Sequence, residues 1–303
     1  MNLLVTGSIG IDTVKTPFGV REDCLGGSVV YFSMAASFFT PVRFVGVVGE
    51  DCPFDLKEVF LGRDVDLAGL EVRKGSKTFR WAGTYHEDIN ERTTDNVELN
   101  VLAEAPPKIP AQFQDSKYVF LANTHPGLQI ELLGQMSEPK LVVADTMNLW
   151  IENEPAALKG LLAKIDGLVL NDSEAKLLTG KQNLLTAAKD IIKMGPSFVV
   201  VKKGEHGTLL VTDDGDFFVL PAYPTEDVKD PTGAGDTFAG GMMGYLAGQE
   251  SCPKTKCAIR QSIAYGTAAA SLAIEDFSLN RWQKAGMVDI ERRFKQLRTM
   301  IQF

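Results

Sequence analysis

Six short runs of apolar and β-branched residues, at 3–6, 42–48, 118–122, 141–144, 167–170 and 198–202, recur along this chain with helix-length stretches between them. A run that is apolar at successive positions, not at alternate ones, needs cover on both faces. Helices that connect one strand to the next supply that cover in a parallel sheet. The spacing predicts helices at 28–39, 126–136, 155–164, 172–178, 184–193, 236–247, 254–273 and 287–298. With 303 residues, 45% of them hydrophobic, the chain can fill a large core. The expectation is one three-layer α/β/α domain over 1–303 with a mainly parallel central sheet.

Two regions break this rhythm, 12–25 and 70–105. In the second, Thr78-Phe79-Arg80-Trp81-Ala82-Gly83-Thr84-Tyr85 alternates polar and aromatic residues. Alternation predicts antiparallel strands outside the main layer, and on spacing alone an edge hairpin with an aromatic stripe against the core explains it equally. Three prolines within 105–110 cannot join a central strand and read as a stiff return to the body.

The chemistry concentrates in Asp230-Pro231-Thr232-Gly233-Ala234-Gly235-Asp236-Thr237-Phe238-Ala239-Gly240-Gly241. Pro231 fixes one backbone angle, and Gly233 and Gly235 permit conformations that a β-carbon opposes, so successive N–H groups can turn toward one point and hold an anion. The small and apolar residues that follow predict a buried helix, whose first turn has unpaired N–H groups and partial positive charge. A carboxylate there, Asp236, can take a proton from an attacking hydroxyl while the amides receive the charge of a phosphoryl group. The alternative is a plain strand-to-helix turn with Asp236 as its N-cap.

At these residues the chain resembles the ribokinase-like (PfkB) carbohydrate kinase family, and further landmarks follow that family's order at Asp12, Gly26-Gly27, Asn171 to Glu174 and Gly204. The resemblance implies a ribokinase-like fold with a small β-sheet lid at 12–25 and 70–105. It also implies transfer of the γ-phosphate of ATP to an alcohol of a sugar or related small molecule, with Asp236 as general base and the Gly233, Ala234 and Gly235 amides as anion hole. On the acceptor side it points to Asp12, which on its own reads equally as a turn cap, and to Gly26 and Gly27, a hinge or a simple helix start. Where relatives often carry Asn and Glu, this chain has Tyr31 and Asn123, so ribose-type contacts do not carry over. Trp81, with Tyr31 and Phe79, suggests a stacking surface and hence a nucleoside acceptor as the alternative. On the nucleotide side the implied residues are Asn171 and Glu174, positioning Mg2+ through water, with Gly204, Gly207, Thr232 and Lys202 near ATP. The segment Glu275-Asp276-Phe277 departs from the family's usual loop and counts against a monovalent cation.

A net charge of −8 disfavours nucleic acid and anionic membranes as partners. No run approaches about 18 uninterrupted apolar residues, and a basic leader is missing, which points to the cytoplasm. Cys24, Cys52, Cys252 and Cys257 form no Cys-x-x-Cys pair and read as reduced thiols, two or more of them buried. The sequence contains no Walker-type Gly-x-x-x-x-Gly-Lys-Ser/Thr loop and no dinucleotide fingerprint after the first strand, which weakens an oxidoreductase reading. A catalytically silent metabolite-binding protein is the remaining rival. An exposed lid sheet pairing with its copy would give a homodimer.

Overall fold

The computed structural model describes residues 2–90, 92–249 and 255–302. In chain order the strands are β1 (Leu3–Thr6), β2 (Gly10–Thr16), β3 (Gly19–Gly26), β4 (Val42–Gly49), β5 (Val65–Arg73), β6 (Phe79–Tyr85), β7 (Arg92–Glu98), β8 (Tyr118–Leu121), β9 (Leu141–Asp145), β10 (Gly167–Asn171), β11 (Phe198–Lys202), β12 (Thr208–Thr212) and β13 (Phe217–Leu220). The central sheet runs β13-β12-β11-β10-β9-β8-β1-β4-β5. Its pairings from β11 through β5 are parallel, and β12 and β13 add an antiparallel hairpin at one edge. All six apolar runs lie in this sheet.

Successive residues of these strands feed two cores. Val5, Phe120, Val143, Val169 and Val200 pack beneath the helices Ser28–Ala36, Ala234–Gly248, Lys256–Ala273 and Met287–Met300. Leu4, Val119, Val142, Leu168 and Val199 pack beneath Pro126–Leu133, Pro155–Leu162, Asp172–Thr179 and Leu184–Ile192. Each fully buried Val or Leu contributes about 1.5–3 kcal/mol, so both layers are held firmly to the sheet. The helix Ala234–Gly248 comes closest to its neighbours. A β-carbon on Gly240 would lie 2.3 Å from the Phe32 carbonyl oxygen, and one on Gly244 2.8 Å from the Ala36 α-carbon. Glycine at these positions lets two backbones meet and fixes where the helix N-terminus emerges.

The second sheet runs β3-β2-β6-β7. Its outer pairings are antiparallel, as expected, and its middle pairing, β2 with β6, is parallel. The boundary expected at 70 is corrected, because Leu70–Arg73 complete β5, the edge of the central sheet, and the second part of the small sheet begins at Phe79. Asp66 and Glu71 mask β5 as a strand, while Leu67 and Leu70 pack on the core. The segment beyond 98 leaves the small sheet through a short 3-10 turn, Asn100–Ala103.

Cys24 and Cys52 are half-buried and Cys257 is exposed, so the expected buried thiols do not occur among the described residues, and Cys252 lies outside them. Among the described residues no helix is long and apolar enough to cross a membrane.

Candidate active site

Asp145, Asn171 and Lys202 are the last residues of β9, β10 and β11, three adjacent parallel strands. Parallel strands share a direction, so all three side chains leave the same edge of the sheet, where open α/β sheets bind ligands. Asn171 and Lys202 are register partners.

The helix Ala234–Gly248 begins at this edge. Its N-cap is Gly233, at φ 73° and ψ 3°, without any side-chain cap. Asp236 is therefore not the cap but a free acid in the first turn. A left-handed residue costs a β-branched or bulky side chain heavily, and a β-carbon on Gly233 would also stand 2.4 Å from the Tyr31 ring. The turn is closed by the Ala234 N–H donating to the Pro231 carbonyl at 3.1 Å, and the Thr232 N–H donates to Asp230 Oδ1 at 2.9 Å. Ala234 is consequently corrected as an anion-hole donor, since its amide is spent on the turn that glycine makes possible. The Gly233 and Gly235 N–H groups have no such internal partner among the described residues. Lys202 comes to the same place, its Nζ lying 2.6 Å from where a β-carbon on Gly235 would be.

Carboxylates crowd this centre. Burial raises Asp236 to about 6, with Lys202 and Arg92 pulling it back down. Asp145, 6% exposed, is pushed up by burial, by Asp236 and by Glu174, with Lys202 opposing, and its Oδ1 has no partner. Burial likewise raises Glu174, while Lys202, the Asn171 N–H and Arg92 favour its ionised form. Asp12 is raised to about 8 by burial and by the charges of Asp230 and Asp236, and its Oδ1 is also unpartnered. An acid kept half-buried near neutrality beside a cation and free amides is equipped to accept a proton during group transfer.

The remaining expected residues divide. Asp12 is not a turn cap but sits inside β2, with Trp81 of β6 as its register partner on the same face. Gly26 closes over it, since a β-carbon there would lie 1.8 Å from Asp12 Oδ2, and Gly27 at φ 101° caps the helix Ser28–Ala36. Trp81 is half-buried, with the Arg92 guanidinium 5.5 Å from its ring centroid. Tyr31 offers no stacking face: it is 2% exposed and its ring covers Gly233. Asn123 is engaged too, its Oδ1 accepting from Trp150 Nε1 at 2.9 Å.

Asn171 and Glu174 form a reciprocal capping box, Glu174 N–H to Asn171 Oδ1 at 2.8 Å and Asn171 N–H to Glu174 Oε2 at 2.7 Å. Ser173 shares the same Oδ1, so Asn171 has little left for an ion and Glu174 and Asp145 carry the unshared oxygens. Thr232 donates its hydroxyl to Tyr85 at 3.3 Å. Gly204, at φ 53°, meets the Asn90 side chain from the β6–β7 connection. Gly207, at φ 81°, is held against the Leu220 carbonyl and so closes the turn into β12. Asp145, Arg92 and Tyr85 were not anticipated. Asp145 had a signal, a single acid directly after an all-apolar run; Arg92 on an exposed strand had none.

The likeness to known proteins runs along the whole chain. A cytidine kinase of Thermococcus kodakarensis is 31% identical over 264 residues, which is 83% of this chain and 92% of that protein. A nucleoside kinase of Methanocaldococcus jannaschii, described as an archaeal member of the ribokinase family, superimposes with a TM-score of 0.76 at 16% identity, over 97% of this chain and 98% of its own. An Arabidopsis thaliana ribokinase complexed with ribose and ATP gives 0.77 at 20% identity, with the same coverages. The fold is thus the ribokinase fold, a large mostly parallel sheet between helices with a separate small sheet. Residues 32–283 match the family model of pfkB carbohydrate kinases, and the chain belongs to that family, phosphotransferases that use a sugar or nucleoside hydroxyl as acceptor.

Proposed function

We propose that this protein transfers the γ-phosphoryl group of ATP to a hydroxyl of a nucleoside, with Asp236 as general base. The acceptor oxygen attacks in line, a new O–P bond forms as the bond to the β-phosphate oxygen breaks, the hydroxyl proton passes to Asp236, and ADP leaves with the electron pair. The observation that carries this is the half-buried Asp236 carboxyl, raised to about 6, in the same first turn as the unspent Gly235 amide and against Lys202. Gly233 and Gly235 would hold charge on the transferring group, and Lys202 would lie along the phosphates. Asp12, buried beneath Gly26 with a free oxygen, would accept hydrogen bonds from ribose hydroxyls.

Among the described residues no three His, Cys, Asp or Glu side chains could hold a metal by themselves. Two carboxylates without a closed cage suit magnesium, which keeps its waters and binds through one or two carboxylates plus phosphates. Glu174 and Asp145 would hold it, and it would neutralise phosphate charge. Both Asp230 oxygens accept main-chain N–H groups, from Thr232 and Ser278, which holds the start of the turn in place.

A nucleoside is preferred to a free sugar because the T. kodakarensis cytidine kinase matches over most of its length and because Trp81 shares a face with Asp12. The small sheet would act as a lid that excludes water. Phe18, Val20 and Val97 stay exposed on it and would pair two copies; a light-scattering mass of one chain would contradict that. An acceptor panel of nucleosides and pentoses with Mg·ATP, read by mass spectrometry for phosphate adducts, tests the reading. Nucleoside monophosphates are expected. A pentose phosphate alone moves the acceptor to sugars, and tight ligand binding with no adduct from any acceptor favours the silent binding protein.

A further inference from the structure

Arg92 opens β7, where it is the register partner of Tyr85 on β6. Its guanidinium leans over the Trp81 ring, 5.5 Å from the centroid. Tyr85 is 7% exposed, and its hydroxyl accepts from Thr232, the residue before Gly233. Tyr85, the cross-strand neighbour of Arg92, thus ties this strand pair to the anion-binding turn. Among the described residues Arg92 makes no ion pair. Its charge acts instead on Asp236 and Glu174, favouring the ionised form of both.

The hairpin that carries Arg92 is fastened to the body at a second point. Asn90 Nδ2 donates to Glu205 Oε1 at 3.4 Å, and Asn90 Oδ1 would be 2.2 Å from a β-carbon on Gly204. The small sheet is thus docked on the turn before the helix and on the turn after β11, and Arg92 hangs between these two attachments. The centre it overlooks holds Asp145, Glu174 and Asp236 against one cation of its own, Lys202. A triphosphate entering that acid-rich place needs more positive charge than Lys202 supplies, and an arginine fork matches phosphoryl oxygens in two-point contact.

We propose that Arg92 is a catalytic residue that stabilises the charge on the transferring phosphoryl group, delivered when the small sheet closes, with Tyr85 as its positioning residue. This rests on the kinase reading above. Removing one such pre-placed donor typically lowers kcat about 10²–10³-fold. Arg92→Ala, Arg92→Lys and Tyr85→Phe would be compared with the unaltered chain in steady-state kinetics, together with calorimetric titration of ADP with and without aluminium fluoride in the presence of acceptor. Expected for Arg92→Ala are a kcat loss of about 10²–10³-fold, a KM for ATP within about threefold, unchanged ADP affinity, and loss of the extra tightening that fluoroaluminate gives. Arg92→Lys should recover part of the loss, a point charge replacing the fork, and Tyr85→Phe should lower kcat less than Arg92→Ala. A kcat for Arg92→Ala within threefold of the parent, or fluoroaluminate tightening that persists, overturns the proposal; so does a loss confined to the acceptor KM, which makes Arg92 an acceptor contact. Because Arg92 is exposed, its variants should melt with the parent. If the unaltered chain phosphorylates no acceptor, the kinase reading falls as well; if it is active and Arg92→Ala matches it, this inference alone falls.

Discussion

Asp236→Asn should separate activity from stability. The folded protein raises this carboxyl from 3.8 to about 6, mainly by burial. An unfolded chain loses the proton near 3.8, so the group's contribution to stability is complete below that pH and is lost as pH rises through about 6. At pH 7 the ion therefore costs the fold at most roughly 3 kcal/mol, and less where water reaches the half-buried oxygens. Asparagine has the same shape and no charge, so the variant should melt at the same temperature or a few degrees higher at pH 7, with the difference vanishing near pH 4. Its turnover should fall in the other direction, by about 10²–10⁴-fold, the usual contribution of a general base and equivalent to about 3–5 kcal/mol of barrier. Mass-spectrometric counting of phosphorylated acceptor, beside thermal melts at both pH values, reads the two effects. Turnover within tenfold of the parent would refute the assigned base, and a lower melting temperature at pH 7 would refute the electrostatic argument behind it.

Asp12→Asn should raise the acceptor KM about 10–100-fold, the worth of one or two hydrogen bonds to a charged group, with little change for ATP. Because Asp12 is raised to about 8, acceptor affinity of the parent should improve from pH 7 to pH 9 with proton release at pH 7, and calorimetry in buffers of different ionisation heat checks it. Gly233→Ala meets the Tyr31 ring in a left-handed conformation and should lower the melting temperature, whereas Gly235→Ala meets only the flexible end of Lys202 and should lower kcat with the melting temperature nearly kept. Lys202→Met removes a charge that favours ionised Asp236, so the acid limb of the pH profile of kcat/KM should move above about 6; an unmoved limb would contradict the contact.

Much of this was legible in the chain because it is local. The all-apolar runs place the central strands within a residue or two, and the Gly-Ala-Gly-Asp turn places an acid at a helix mouth whatever surrounds it. What stayed hidden depends on residues far apart in sequence. Nothing near Tyr31 announces that its ring fills the space left by Gly233, and nothing near Asn123 announces Trp150 as its partner. Ala234 looks equivalent to its flanking glycines, yet its amide closes the turn to Pro231. The edge strand β5 was masked by its own polar residues. Arg92, on a strand exposed along its whole length, carries no local mark of the centre it overlooks.

The central claim is that one acid and the amides of one turn converge on the same reacting atoms. A crystal structure with a nucleoside and a non-hydrolysable ATP analogue tests it most directly. The account predicts an Asp236 oxygen about 2.6–3.2 Å from the acceptor hydroxyl, with the Gly233 or Gly235 N–H on a γ-phosphate oxygen. An acceptor seated with its hydroxyl remote from Asp236, or phosphates bound away from that turn, would contradict it.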